Sequence, residues 1–279
     1  MKSPLFVLLW VTPLLFGADS QTNAWDILNR GLADTNPLKR AQAITALGGI
    51  GPMEQVLDLA EAALLDKDSS VRQTAAAVLG EMKARRAQAN LRKALDDESP
   101  EVSFTAAKAL WDMGDRSGRE IFWQVLAGER SPSEGAIKGG VHNAKKQLHN
   151  PRGLALMGIK EGAGALLGPF SLGVGLAEEL IKDKSAPARA LSAQLLATDP
   201  DPNSGDELER ALTDKNAVVR AAVARSLGAR SSRDALPKLE PLLADANDAV
   251  RYNAAAAVIR LSQPARRRPK VQPPAKSAK

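Results

Sequence analysis

Asp66-Lys67-Asp68-Ser69-Ser70-Val71-Arg72-Gln73-Thr74-Ala75-Ala76-Ala77-Val78-Leu79-Gly80 is the stretch on which the architecture turns. It opens as a polar turn in which Ser69 or Ser70 is placed to cap the free N–H groups of a starting helix. Val71, Ala75 and Leu79 then recur at i, i+4 and i+8, which sets them on one helical face. A second apolar stretch, Ala87 to Leu95, reads as the returning partner helix.

The pattern repeats along the chain. Asp214, Val219-Arg220, Ala222 and Leu227-Gly228 reproduce it, as do Asp245, Val250-Arg251 and Ala254 to Ala257. Weaker copies run from Asp34 through Arg40 to Leu47-Gly48, from Asp97 through Val102 to Leu110, and from Asp183 through Arg189 to Leu196. The six turn aspartates are spaced by 32, 31, 86, 31 and 31 residues. One helix pair has too little core to stand alone, so pairs repeated at this period must stack. The reading is an all-α solenoid of antiparallel helix pairs, with N-terminal repeats over 21–127, an irregular helical insert over 128–182 and C-terminal repeats over 183–263. Composition agrees: aromatics are only 4% while alanine and leucine dominate, which favours close helix packing over sheets.

These copies resemble the short HEAT-like repeat family, including repeats found in phycobilisome lyases, over residues 34–127 and 183–262. The Trp-Leu-Gly-Tyr and Thr-Pro-Leu-His signatures of tetratricopeptide and ankyrin repeats are absent. The resemblance implies a structural ladder between successive repeats, formed by Asp66, Asp214 and Asp245 with Arg72, Arg220 and Arg251. Ser103 stands where the third copy should carry its arginine, which interrupts the ladder there. The resemblance also offers a lyase-type enzyme as an alternative function.

At the N-terminus, Lys2, the apolar run Pro4 to Phe16 and the small-residue exit Ala18-Asp19-Ser20 read as a secretory signal over residues 1–20, with a periplasmic or secreted product. The run is short of the roughly 20 residues a spanning helix needs. The absence of cysteine excludes disulfides, thiolate metal sites and a cysteine nucleophile. The net charge of +6 is concentrated in residues 264–279, where Arg266, Arg267, Arg268, Lys270, Lys276 and Lys279 meet no acid. This Pro-rich tail is expected to be disordered and to attract anionic membrane or polysaccharide surfaces. The repeat body is electrically balanced, which argues against nucleic-acid binding.

Periodicity fails after Leu126, and four of the chain's few aromatics, Phe104, Trp111, Phe122 and Trp123, sit just before the break. Repeat alignment puts Trp123 where Arg92 and Glu240 stand, a position expected to be solvated, so it is a candidate anchor for a partner protein. A basic excess follows, with Arg130, Lys145 and Lys146 as candidate charges around it and His142 in the same stretch. His142 and His149 share a helical face but have no third ligand at helical spacing, so no metal is assigned. No nucleotide, hydrolase or metalloprotease motif is present, and neither catalytic residues nor cofactors are assigned. The expected role is that of an exported scaffold or adaptor holding a protein or an anionic envelope component.

Overall fold

The structure is a computed structural model that describes residues 14–129, 183 and 185–263. The N-terminal part holds α1 (Leu14–Leu32), α2 (Pro37–Ile50), α3 (Glu54–Ala63), α4 (Ser69–Glu81), α5 (Gln88–Lys93), α6 (Pro100–Asp112) and α7 (Arg119–Leu126). The C-terminal part holds α8 (Ala186–Leu196), α9 (Pro202–Arg210), α10 (Ala217–Arg230), α11 (Leu236–Leu239) and α12 (Asp248–Ser262). Among the described residues there is no strand, and no helix is long and apolar enough to cross a membrane.

Each repeat begins at an aspartate with two tasks. Its Oδ1 accepts the backbone N–H two residues on, as Asp66 does from Asp68 at 2.9 Å and Asp214 from Asn216 at 2.8 Å, which folds the turn. The helix then starts on a separate cap: Asp68 accepts from the Ser70 N–H at 2.9 Å, and Asn216 from the Val218 N–H at 2.9 Å. The cap of α4 is therefore Asp68, and Ser69 and Ser70 are its first helical residues, not its caps. The carboxylate suits the position better because it carries full negative charge at the positive end of the helix. Second helices are shorter than the periodicity suggests. The stretch expected to be one helix over Ala87 to Leu95 is α5 flanked by 3₁₀ turns at Arg85–Ala87 and Ala94–Asp96.

The second task of the aspartate is to receive an arginine. Arg40 forks onto Asp66 at 2.8 and 2.7 Å, and Arg72 onto Asp97 at 2.8 and 2.8 Å. Arg189 likewise reaches Asp214 at 2.9 and 3.0 Å, and Arg220 reaches Asp245 at 2.8 and 2.9 Å. The other nitrogen of each fork can turn back to its own repeat, as Arg72 does to the Asp66 carbonyl at 2.9 Å and Arg220 to that of Asp214 at 2.8 Å. One guanidinium thus joins two turns with planar, charge-assisted bonds, a geometry lysine cannot supply. Arg40 holds the Asp66 carboxyl below the ordinary carboxylate range. Burial works to raise Asp97, Asp214 and Asp245, but their arginines and backbone N–H groups outweigh it and the net direction is down.

First helices stack on one another in the order α8, α10, α12, α2, α4, α6. The C-terminal repeats therefore precede the N-terminal ones in space, and the chain's two arrays meet where α12 packs on α2. The helix pair begun by α12 is completed by α1, which packs against both α12 and α2 as a second helix should. Ala24 and Leu28 of α1 are fully buried in the common core. Helix α1 runs through Ser20, whose hydroxyl donates to Glu240 at 2.6 Å, and the buried Ala24 and Leu28 lie on the C-terminal side of the expected processing point.

The joint has its own polar fastenings. Arg225 of α10 reaches past α12 to the Thr45 carbonyl of α2 at 3.0 Å, and Arg260 of α12 reaches the Gly49 carbonyl at 3.0 Å. Both reach carbonyls in the last two turns of α2, where the helix dipole favours cations. That α10 touches α2 across α12 also shows that the row of first helices is the inner, concave layer. The ladder is rerouted here. Arg251 turns back to the Asp245 carbonyl at 2.6 Å and to Asp248, while Lys39 spans Asp34 at 3.5 Å and Asp248 at 3.4 Å. Of the arginines assigned to the ladder from sequence, Arg72 and Arg220 bridge to the next repeat and Arg251 joins this local network.

Candidate functional site at the aromatic end of the array

Six large apolar side chains are exposed among the described residues, and three of them, Trp111, Trp123 and Leu126, belong to the α6–α7 hairpin, the last of the N-terminal helix pairs among the described residues. Leu110 of α6 is buried in the common core and Ile121 of α7 is buried as well, which sets the faces the two helices turn outward. Phe122 lies between Phe104 and Trp111, with ring centroids 5.5 Å away in each case and both ring pairs inclined at 87°. Edge-to-face packing of this kind sets the positive rim of one ring on the negative face of the next.

Two cations complete the surface. The Arg116 guanidinium stands 3.8 Å above the Trp111 ring and donates to the Trp111 carbonyl at 2.8 Å. Arg119 lies 5.8 Å from the Trp123 ring centroid, at the outer limit of a cation–π contact. The neighbouring acids already have partners: Asp115 binds Arg92, and Asp112 binds Lys108 at 2.6 Å. Trp111 remains 41% exposed, Trp123 57% and Leu126 87%. An apolar surface flanked by guanidinium groups can receive an aromatic or aliphatic anchor together with carboxylates.

The structure brings Trp111 and Trp123 onto one hairpin. Arg130, His142, Lys145 and Lys146, the other residues expected to form the site, lie outside the described residues, as do most of the proposed insert and the whole basic tail. The cations that do touch the tryptophans are Arg116 and Arg119, which the sequence reading passed over. Arg119 could have been found from its spacing, four residues before Trp123 on α7. Arg116 could not, because it reaches Trp111 from the irregular turn between the helices. Among the described residues no group of three or more His, Cys, Asp or Glu side chains could hold a metal ion.

Comparison with known proteins bears on the scaffold that carries this surface. The chain is similar to human deoxyhypusine hydroxylase, solved in complex with glycerol, at 22% identity over 89% of this chain and 99% of that one, with a TM-score of 0.32. It is also similar to an engineered protein at 16% identity over 87% of this chain and 96% of that one, with a TM-score of 0.30. Likenesses this distant carry no functional argument. No curated protein matches. The sequence matches the model for HEAT repeats over residues 26–110, 58–134 and 174–260, more than half its length. With the repeated turns, arginine forks and stacked pairs described above, this match establishes that the chain belongs to the HEAT-repeat family.

Proposed function

We propose that this protein is an adaptor that binds another protein through the α6–α7 end of its array, with Trp123 as the anchor and Arg116 and Arg119 selecting an acidic partner surface. The observation that carries this reading is the 57% exposure of Trp123 at a register position that other repeats fill with Arg92 or Glu240. Exposing a tryptophan there forgoes its burial, and aromatic anchors of this kind concentrate binding energy at interfaces. The ladder guanidiniums are committed to fastening repeats, whereas those of the α6–α7 hairpin lie over tryptophan rings.

The same proposal places the protein outside the cytoplasm, on the strength of the signal-like residues 1–20, and lets the six basic residues after Gln263 add a salt-sensitive attraction to anionic envelope surfaces. The test is affinity capture from the native envelope fraction with the parent chain, Trp123→Ala and Arg116→Glu/Arg119→Glu side by side. A partner retained by the parent should be lost with either variant, at unchanged helical circular dichroism. The Trp123→Ala effect on purified components should be about 2 kcal/mol. A partner that both variants retain, or a Trp123→Ala chain that melts far below the parent, would sink the assignment.

A further inference from the structure

Among the described steps from one first helix to the next, the step from α12 to α2 is the one that lacks its ladder bond. Arg40, Arg72, Arg189 and Arg220 each fork onto the turn aspartate of the following repeat. Where α12 meets α2 that aspartate is Asp34, and its carboxylate receives no guanidinium. It accepts the Asn36 N–H at 2.8 Å and faces Lys39 at 3.5 Å. Arg251, which holds the ladder position in α12, stays at its own turn, where it donates to the Asp245 carbonyl at 2.6 Å and binds Asp248. Between Arg251 and Asp34 lies a cavity of about 190 Å³. Arg30 and Gly31 of α1, Lys39 of α2 and Tyr252 of α12 complete its lining.

Tyr252 is held rigidly at this cavity. A Cβ on Gly31 would lie 2.6 Å from its Cζ and 2.9 Å from its Oη, so α1 passes hard against the hydroxyl end of the ring. The side chain is only 4% exposed, yet its hydroxyl has no hydrogen-bond partner among the described residues. A buried tyrosine ordinarily finds one. Burial and the nearby Asp34 carboxylate push its pKa up, against the opposing pull of Arg251, so the hydroxyl keeps its proton and can donate. Two further donors are uncommitted. Arg30 spends only its Nε, on the Asp26 carbonyl at 3.2 Å, and Arg251 spends only its two terminal nitrogens. The carboxylates of the lining are matched, Asp34 by Asn36 and Lys39, and Asp248 by Arg251 and by Lys39 at 3.4 Å. The groups left over are therefore donors, and the three cations of the lining exceed its two carboxylates by one. We infer that the cavity is a binding site for a small oxyanion, a carboxylate or a phosphate, held by the Tyr252 hydroxyl and the guanidinium groups of Arg30 and Arg251. Bonds from a guanidinium to an oxyanion are charge-assisted and of the strong kind. The bound anion would tie α1 to α12 at the step the ladder leaves open. This site is separate from the tryptophan surface of α6–α7 and does not depend on it.

Tyr252 is the chain's only tyrosine, so isotope labelling at tyrosine Cζ gives the full chain a single NMR resonance that reports on the cavity and not on the basic tail. The labelled chain is titrated with inorganic phosphate and, separately, with acetate at constant ionic strength. At least one anion should shift the resonance saturably and raise the melting temperature, and which of them does so identifies the source of the oxyanion. By calorimetry, Arg30→Gln at an exposed position and Tyr252→Phe, which keeps the buried ring, should each weaken that binding about tenfold at unchanged helicity. Arg210→Gln, outside the cavity, should leave it unchanged. A resonance that neither anion shifts overturns the inference, as does one that guanidinium ion shifts in their place. Binding that survives both Arg30→Gln and Tyr252→Phe overturns it as well.

Discussion

Joining Gly49 to Ala256 by a disulfide tests the least expected feature of the fold, the continuation of the C-terminal repeats into the N-terminal ones. A Cβ on Gly49 would lie 3.8 Å from the Cβ of Ala256, within the roughly 3.5–4.5 Å span of natural disulfides. The other contacts of that Cβ, with Arg225 at 3.9 Å, are ordinary and need no rearrangement. The native chain contains no cysteine, so Gly49→Cys/Ala256→Cys has one possible internal pairing. The cross-link would close a loop of about 207 residues, for which the loss of chain entropy in the unfolded state gives up to about 5 kcal/mol. Strain and residual denatured structure lower what is realised, and 2–4 kcal/mol is the expected range. Thiol titration and non-reducing electrophoresis measure closure, and guanidinium unfolding with and without reductant measures the gain. The bond should form in monomeric protein under mild oxidation and raise the unfolding midpoint, while each single variant stays folded and unlinked. Two accessible thiols that persist in a folded double variant, or that pair only between molecules, would show that residues 49 and 256 are not neighbours and that the order of the repeats is wrong.

Leu227 is fully buried, and Leu227→Asp should cost roughly 3 kcal/mol or more in chemical denaturation, whereas removing residues 264–279 should leave the melting temperature nearly unchanged. Asp97→Ala removes the main partner of the buried Arg72 guanidinium and should cost about 3 kcal/mol, against less than about 1 kcal/mol for Arg210→Ala at the exposed Glu207 pair. The ladder aspartates titrate below their unfolded range of about 3.9, so their stabilisation is complete above that pH and falls away as pH drops through the lower folded values. Acid unfolding of Asp97→Ala should therefore be shallower than that of the parent, and parallel curves would contradict the pairing. Removing the basic tail should abolish salt-sensitive sedimentation with anionic liposomes, and binding that persists without it would remove the tail from the proposed function.

What the sequence determined by itself was local. The aspartate turn, the arginine six residues on and the apolar face of each first helix are set by contacts within one period, so Asp66 to Gly80 sufficed to read an all-helical stack of pairs. Trp123 was legible for the same reason, because a regular register makes an aromatic in a charged row visible, while Trp111 stood out only as one of the aromatics clustered before the break. The order of the pairs was not legible. Stacking faces are alike in every repeat, and periodicity places no constraint on which face meets which across an interruption of 86 residues between turn aspartates. Tertiary structure decided that α12 takes α1, from far back along the chain, as the helix packed against it and α2. It likewise decided that Arg251 leaves the ladder and that Arg116 covers Trp111, since both outcomes depend on which neighbour arrives in space, a property that spacing along the chain does not encode.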